Sequence, residues 1–390
     1  MRFQVARRDL EEALQAVGSC IASSGSDISA HFTFRRTGPD KDGKYGIEVL
    51  TYTGGTTFSS WPLIVSVEDP GTEKKVGFTL EGWRLKQWLK ATPADSVPEF
   101  ILDSGEVTLR VKKGKQTFQS LDPSAFPYWD KALKEAEPKG LIPADRLAAA
   151  LATSRLFVGG TDKEAQSPDQ CVCEVIEGIL YASDRKAVSL IRAKGLEDTH
   201  LRVHGKNIGA ILTFLGTLDD GEVEILEHDR MTLLRSSGNG AVFGESRFIY
   251  AFPKPKIRLD DPSQYIWEFP KDELQQAIGF LVAGAVKDDN RLRIAPSEAA
   301  GEVVLSMTSA TGKETELTLT GITMKQMAAG APSIPEDGFL LDHLLLTKFI
   351  APWKEDTVAL GITVTGARGH ARVVHERLET KFVAVLPWLA

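Results

Sequence analysis

Few residues in this 390-residue chain are placed for chemistry. Ser183 and Asp184 stand side by side in LYASDRKAVSL, a hydroxyl beside a carboxylate, but no nearby histidine is there to serve as base. Three glycine-bearing phrases, SSGS at 23–26, VGGTD at 158–162 and SGNG at 237–240, have the small residues of a phosphate cradle. None completes a Walker loop or a dinucleotide fingerprint, and neither an H-E-x-x-H helix nor a G-x-S-x-G elbow is present. SGNG lies between the alternating phrases MTLLRS and AVFGES, which predicts a hairpin loop, and the other two read as turns. Cys171 and Cys173 form a C-x-C pair in CVCEVIE, where alternation predicts a strand with both thiols on one half-buried face. With Cys20 they are too few for a disulfide framework, and the seven histidines have no spacing that completes a metal site. The sequence predicts no catalytic residue, no metal and no cofactor.

Length and composition describe the body that holds these residues. The chain exceeds what one hydrophobic core fills, so two or three domains are expected. Apolar residues make up 42% and charged residues 25%, the profile of a globular protein. A formal charge of −7 argues against a uniformly basic nucleic-acid binder but allows one local basic face on an acidic body. The opening MRFQVARRDL is charged, no apolar h-region follows, and no apolar run approaches about 18 residues. A cytoplasmic protein without membrane attachment is expected.

Self-comparison is more informative. One helix entry occurs three times, as RDLEEAL at 8–14, DRLAAAL at 145–151 and DELQQAI at 272–278. Five positions before the leucines Leu10, Leu147 and Leu274 stand Val5, Ile142 and Phe269, the pattern of a strand leading into a helix. A second helix recurs later in each copy, behind the alternating pairs Phe78/Leu80, Leu201/Val203 and Phe339/Leu341. Its apolar positions are Leu85 with Trp88/Leu89, Ile208 with Ile211/Leu212, and Leu346 with Phe349/Ile350. Alternating segments such as VTLRV, GILYA, GEVEIL, EVVLSM, ETELTLT and ETKFVAVL surround these helices. Copies one and two end on AFPYW and AFPKP, which places the boundaries near 131 and 258.

The fold class is therefore α+β, with three repeated domains at 1–131, 132–258 and 259–390, each a pair of helices on antiparallel sheet. Three such units joined end to end form an arc, and an arc with matching ends closes by two-fold symmetry into a ring.

The residues also resemble a known family along the whole chain. MRFQVARRDLEEALQAV is similar to the first strand and helix of the DNA polymerase III beta subunit, the bacterial-type sliding clamp. TFQSLDPSAFPYWD is similar to the end of its first domain, LYASDRKAVSL to a phrase of its second, and FVAVLPWLA to its terminal strand. Departures are present: the long hairpin FRRTGPDKDGKYGIEVL, TYTGGTTF in place of an acidic phrase, and Arg185, Lys186 and Ala187 in place of Gly-His-Arg. They imply a divergent, phage-encoded or otherwise specialised member.

The resemblance implies the DNA clamp fold and a processivity factor without enzymatic activity. Such a factor encircles duplex DNA non-specifically as a homodimer ring and binds a replicative DNA polymerase and a clamp loader through short peptide motifs, in the bacterial nucleoid or a phage-infected cytoplasm. Ser183, Asp184, Lys186 and Val188 match one side of the family's partner-peptide pocket, with Pro253, Leu386, Pro387 and Trp388 closing it. A head-to-tail dimer interface is expected between Phe280 of the helix from Leu274, off its stripe of Leu274, Ala277, Ile278 and Leu281, and a partner strand carrying Phe118.

The DNA-facing wall follows from helical geometry. Counted from Leu85, Ile208 and Leu346 as buried centres, Lys86 and Lys90 lie about 100° and 140° away, and Lys206 and Lys348 about 160°. Flexible ammonium groups there meet a phosphate track without reading bases. The alternative is a non-enzymatic repeat scaffold that binds protein partners without encircling DNA and has no need of such lysines. A trimeric clamp is disfavoured, because three-domain subunits make six units from two copies.

Overall fold

The computed structural model describes the chain except for residues 23–26, 55–56, 66, 69–76, 159–170, 185, 219–220, 247–251, 253–257, 352–354, 366–367, 378–379 and 389–390. Seven α-helices lie among the described residues: α1 (Arg7–Val17), α2 (Gly82–Ala91), α3 (Asp130–Glu135), α4 (Ala144–Ser154), α5 (Ile208–Leu215), α6 (Lys271–Gly284) and α7 (His343–Ile350). Period 3.6 explains where they form. Leu10, Leu147 and Leu274 are buried in α1, α4 and α6, and Leu85, Ile208 and Leu346 in α2, α5 and α7. The stripe of α6 is the expected one, Leu274, Ala277, Ile278 and Leu281. α7 is started by Asp342, whose carboxylate accepts from the Leu344 and Leu345 amides at 2.9 and 3.2 Å, a cap worth about 1 kcal/mol.

Two compact units divide the chain: Met1–Ala152 with Asp198–Ile249, and Thr153–Glu197 with Tyr250–Ala390. In the first, an eight-stranded antiparallel sheet runs in the order Glu137–Pro143, Glu222–His228, Met231–Ser236, Val242–Ser246, Thr57–Leu63, Gly46–Tyr52, His31–Thr37, Gly77–Glu81. A five-stranded sheet runs Val67–Glu68, Arg2–Gln4, Glu99–Asp103, Glu106–Val111, Gly114–Gln119. Phe3, Phe34, Phe78 and Phe100 stack between the two, with Phe3 and Phe100 at 4.8 Å and Phe34 and Phe78 at 4.7 Å. α1 packs on Gly46–Tyr52 and Thr57–Leu63 and beside α5. The Thr51 hydroxyl donates to the last carbonyl of α1, at Val17, at 2.6 Å.

In the second unit the strands run Val172–Ile176, Ile179–Ser183, Val188–Ala193, Thr380–Pro387, Arg368–Arg377, Thr357–Thr365, Tyr265–Pro270, Thr323–Gln326. A four-stranded sheet runs Glu314–Leu319, Val303–Thr308, Arg291–Pro296, Phe339–Asp342. α6 lies on Val303–Thr308 and Glu314–Leu319 and against α7.

Each large sheet joins strands distant in sequence. Val242–Ser246 pairs with Thr57–Leu63, Val242 opposite Ser60, and Val188–Ala193 pairs with Thr380–Pro387, Val188 opposite Val385. The two related phrases cover these joints. Trp129 of AFPYW stacks on Phe58 at 3.7 Å, and Phe126 meets Trp129 edge-on at 5.2 Å. Gly244 stands opposite Phe58, where a Cβ would come within 2.2 Å of the ring, so only glycine leaves that ring its place. Phe252 of AFPKP packs with Tyr181, Leu190, Leu259 and Val385, and its amide donates to Glu174 at 2.6 Å. Nearby, the buried Arg372 guanidinium donates to the carbonyls of Arg258 and Leu259, at 3.0 and 2.8 Å, and of Asp261. It pins the chain where it leaves that joint.

SGNG forms the expected hairpin loop, with the Gly240 amide donating to Ser236 O at 3.1 Å. SSGS and all of VGGTD but Val158 lie outside the described residues. Of the C-x-C pair, Cys173 is in a strand, whereas Cys171 precedes it, because the strand begins at Val172. Both are fully buried rather than half-buried, as is Cys20, whose thiol burial pushes up to about 12. No helix among the described residues is long and apolar enough to cross a membrane.

Candidate functional site

Lysine reaches the surface of α2 through helical spacing. Leu85 and Leu89 are buried, and Trp83, Lys86, Gln87 and Lys90 follow one another along the exposed face at i, i+3, i+4 and i+7. A cleft of about 620 Å³ opens between this face and α1. Lys86 reaches across it: its Nζ is 5.7 Å from the Phe32 ring centroid and close to Gly18, where α1 ends and its carbonyls gather partial negative charge. Lys90 has no hydrogen bond or ion pair among the described residues.

Lys206 is exposed, but not on α5. It occupies a 3-10 turn, Gly205–Asn207, because His204 Nδ1 accepts from the Lys206 amide at 3.2 Å and α5 starts only at Ile208. Counting back from Ile208 at 100° per residue therefore misjudges its direction. Beneath this turn lies Glu245, fully buried, accepting from the His204 amide at 3.1 Å and from Asn207 Nδ2 at 2.6 Å. Burial pushes its carboxyl up to about 8, against the lowering by these donors and by Lys206. Lys348 is half-buried in the last turn of α7.

The expected peptide-pocket residues fall in the second unit. Ser183 ends a strand and Val188 begins the next, directly opposite it. Between them Asp184 accepts from the Lys186 and Ala187 amides, both at 2.9 Å, and Ser183 Oγ donates to Ala187 O at 2.8 Å. The pair is thus a turn builder, which uses its oxygens on the backbone. Val188 lies opposite Val385, so Leu386 and Pro387 follow on the neighbouring strand. Leu386 is buried, Pro387 exposed, and Pro253 lies outside the described residues. Trp388 stacks on Phe339 at 5.0 Å, and its amide donates to Gly369 O at 3.1 Å. A Cβ at Gly369 would come within 2.7 Å of the indole.

Phe280 is 61% exposed on α6. Phe118 is on Gly114–Gln119, the outer strand of the five-stranded sheet, but its side chain turns inward opposite Val107 and is 7% exposed. The outer edge of that strand, not this ring, is what the surface offers. Two features escaped the sequence reading. Trp83, 60% exposed, stands two residues before Leu85, so the same helical count that picked out the lysines could have found it. Glu245 carries no local signal, because its burial comes from a sheet built across distant segments.

No family model and no curated protein matches the sequence. Solved structures do. The DNA polymerase III beta subunit of Pseudomonas aeruginosa superposes with a TM-score of 0.77 at 15% identity, over 99% of each chain. The sliding clamp of Bacillus subtilis gives 0.76 at 15%, over 100% of this chain and 99% of that one. The beta subunit of Thermotoga maritima gives 0.76 at 12%, with the same coverage. With helices, sheets and joints as described, the chain has the fold of the DNA polymerase III beta-subunit sliding clamps.

Proposed function

We propose that the chain is a DNA sliding clamp, a non-enzymatic processivity factor that encircles duplex DNA and tethers a replicative polymerase. The observation that carries this reading is the agreement of fold with the Pseudomonas aeruginosa beta subunit over 99% of both chains. Fold over the full length matters here, because a ring needs no active site, only the right number of units with matching ends. The domains are 1–131, 132–258 and 259–390, and two copies meet head to tail, Phe280 on α6 against the open edge of Gly114–Gln119. Lys86, Lys90 and Lys348 on their helices, with Lys206 on the turn before α5, supply the cations of the hole and touch phosphates without reading sequence. Retention is then topological, so weak contacts suffice. Polymerase and clamp loader dock short peptides at the turn 183–188 and the end of the strand Thr380–Pro387, in the cytoplasm of a bacterial or phage-infected cell. The scaffold alternative gains no support from this fold.

Retention on DNA tests the reading. Loaded protein should stay on closed circular duplex through a high-salt wash and be released when the circle is cut; equal loss from circular and linear DNA rejects the clamp. Phe280→Glu should lower the sedimentation mass from twice the chain mass to one and abolish retention. A mass that stays doubled removes Phe280 from the interface.

A further inference from the structure

The cleft between α1 and α2 holds more than a lysine wall requires. Trp83 lines it, a large aromatic left 60% exposed on a polar helix face. The indole is also held in place. Its Nε1 donates to Glu81, and the Arg84 guanidinium, itself paired with Glu81 at 2.8 Å, lies 5.5 Å from the ring centroid. Three residues along the same face come Lys86 and Gln87, then Lys90. Across the cleft, Gln15 presents an amide from α1. Glu11, the carboxylate on that wall, is tied to Arg7 at 2.7 Å, so the uncompensated charge in the cleft is positive.

An oriented ring with ammonium groups one and two helical turns away fits one nucleotide of a single strand. Its base stacks on the indole, its phosphate meets Lys86 and Lys90, and the two glutamine amides reach base edges. A volume of about 620 Å³ admits a nucleotide, whereas in a duplex the bases are already stacked and have no face to offer. We propose that the α1–α2 cleft of the first unit binds single-stranded DNA by stacking an unpaired base on Trp83. This deepens the clamp reading, from which it takes DNA as the ligand: the ring would carry a site that distinguishes frayed or unpaired DNA from the duplex it encircles.

The test uses the full chain, a fluorescein-labelled oligothymidylate and a blunt-ended linear duplex with G·C ends and equal charge, with binding read by anisotropy at low salt. Trp83→Ala should weaken oligothymidylate binding about tenfold and leave duplex binding unchanged, while Trp83→Phe keeps most of the affinity. Because the indole is exposed, loss of fold does not confound the result; the thermal midpoint verifies this. Oligothymidylate affinity unchanged in Trp83→Ala overturns the proposal, and so does an equal loss for both DNAs. The clamp reading fails separately, through loss of retention on closed circles, and a Trp83-dependent preference for the single strand would survive that failure.

Discussion

Glu245 is the residue whose chemistry the fold has altered most plainly. Its carboxyl is raised from 4.5 to about 8, so at pH 6 the folded protein holds a proton that the unfolded chain has released. Stability then falls as pH rises from about 4.5 to about 8 and levels off beyond, a loss on the order of 5 kcal/mol. Glu245→Gln removes the titration, keeps one oxygen to accept from the His204 amide, and turns its NH2 to Asn207, whose side-chain amide must flip to accept through Oδ1. Its thermal midpoint should be nearly flat over this pH window and above the parent's at pH 8; the same downward slope in both proteins would assign the effect to another group. Ser183 and Asp184 teach the reverse lesson. Their types suggested chemistry, but the turn they build was legible in the same phrase, because an aspartate between two alternating stretches competes for the backbone amides that follow it. Arg372 was not legible: an arginine in an alternating strand gives no hint that three carbonyls of the chain at 258–261 wait inside for it.

At the scale of elements, helices were read well and strand partners were not. The reason is physical. A helix closes its hydrogen bonds within its own segment, so apolar spacing alone placed α1, α2, α4, α6 and α7, and only the short turn before α5 displaced a residue from its expected direction. A strand records only which face is buried; that Val188–Ala193 would join Thr380–Pro387 depends on the rest of the fold. This joint separates two roles at the proposed peptide site. Pro387 is exposed at the strand end, while Trp388 is stacked on Phe339. Pro387→Glu should weaken a polymerase-derived peptide at least tenfold in calorimetry and change stability by no more than about 0.5 kcal/mol. Trp388→Ala should cost about 2 kcal/mol in denaturant unfolding, from the lost stack. If Pro387→Glu leaves peptide affinity untouched, the site lies elsewhere.

For the whole molecule, a net charge of −7 and a DNA-binding surface are compatible only if the cations are local. Replacing Lys86, Lys90, Lys206 and Lys348 together with glutamine should make the salt dependence of DNA association shallower, while sedimentation mass and peptide affinity stay as they were. An unchanged slope would move the DNA-facing wall to other residues. The triplication itself was legible, since it repeats helices, but the division into compact units follows the sheets, and the first unit leaves out 153–197 while taking in 198–249. This interleaving has a bearing on how the chain is made. On a ribosome adding roughly 5 to 20 residues each second, the first unit has all its strands once Val242–Ser246 emerges. The strand Val188–Ala193, made earlier, must wait with one edge unpaired until Thr380–Pro387 is synthesised and slides in between it and Arg368–Arg377. For those seconds the nascent chain exposes an unpaired apolar strand edge, open to pairing with another chain.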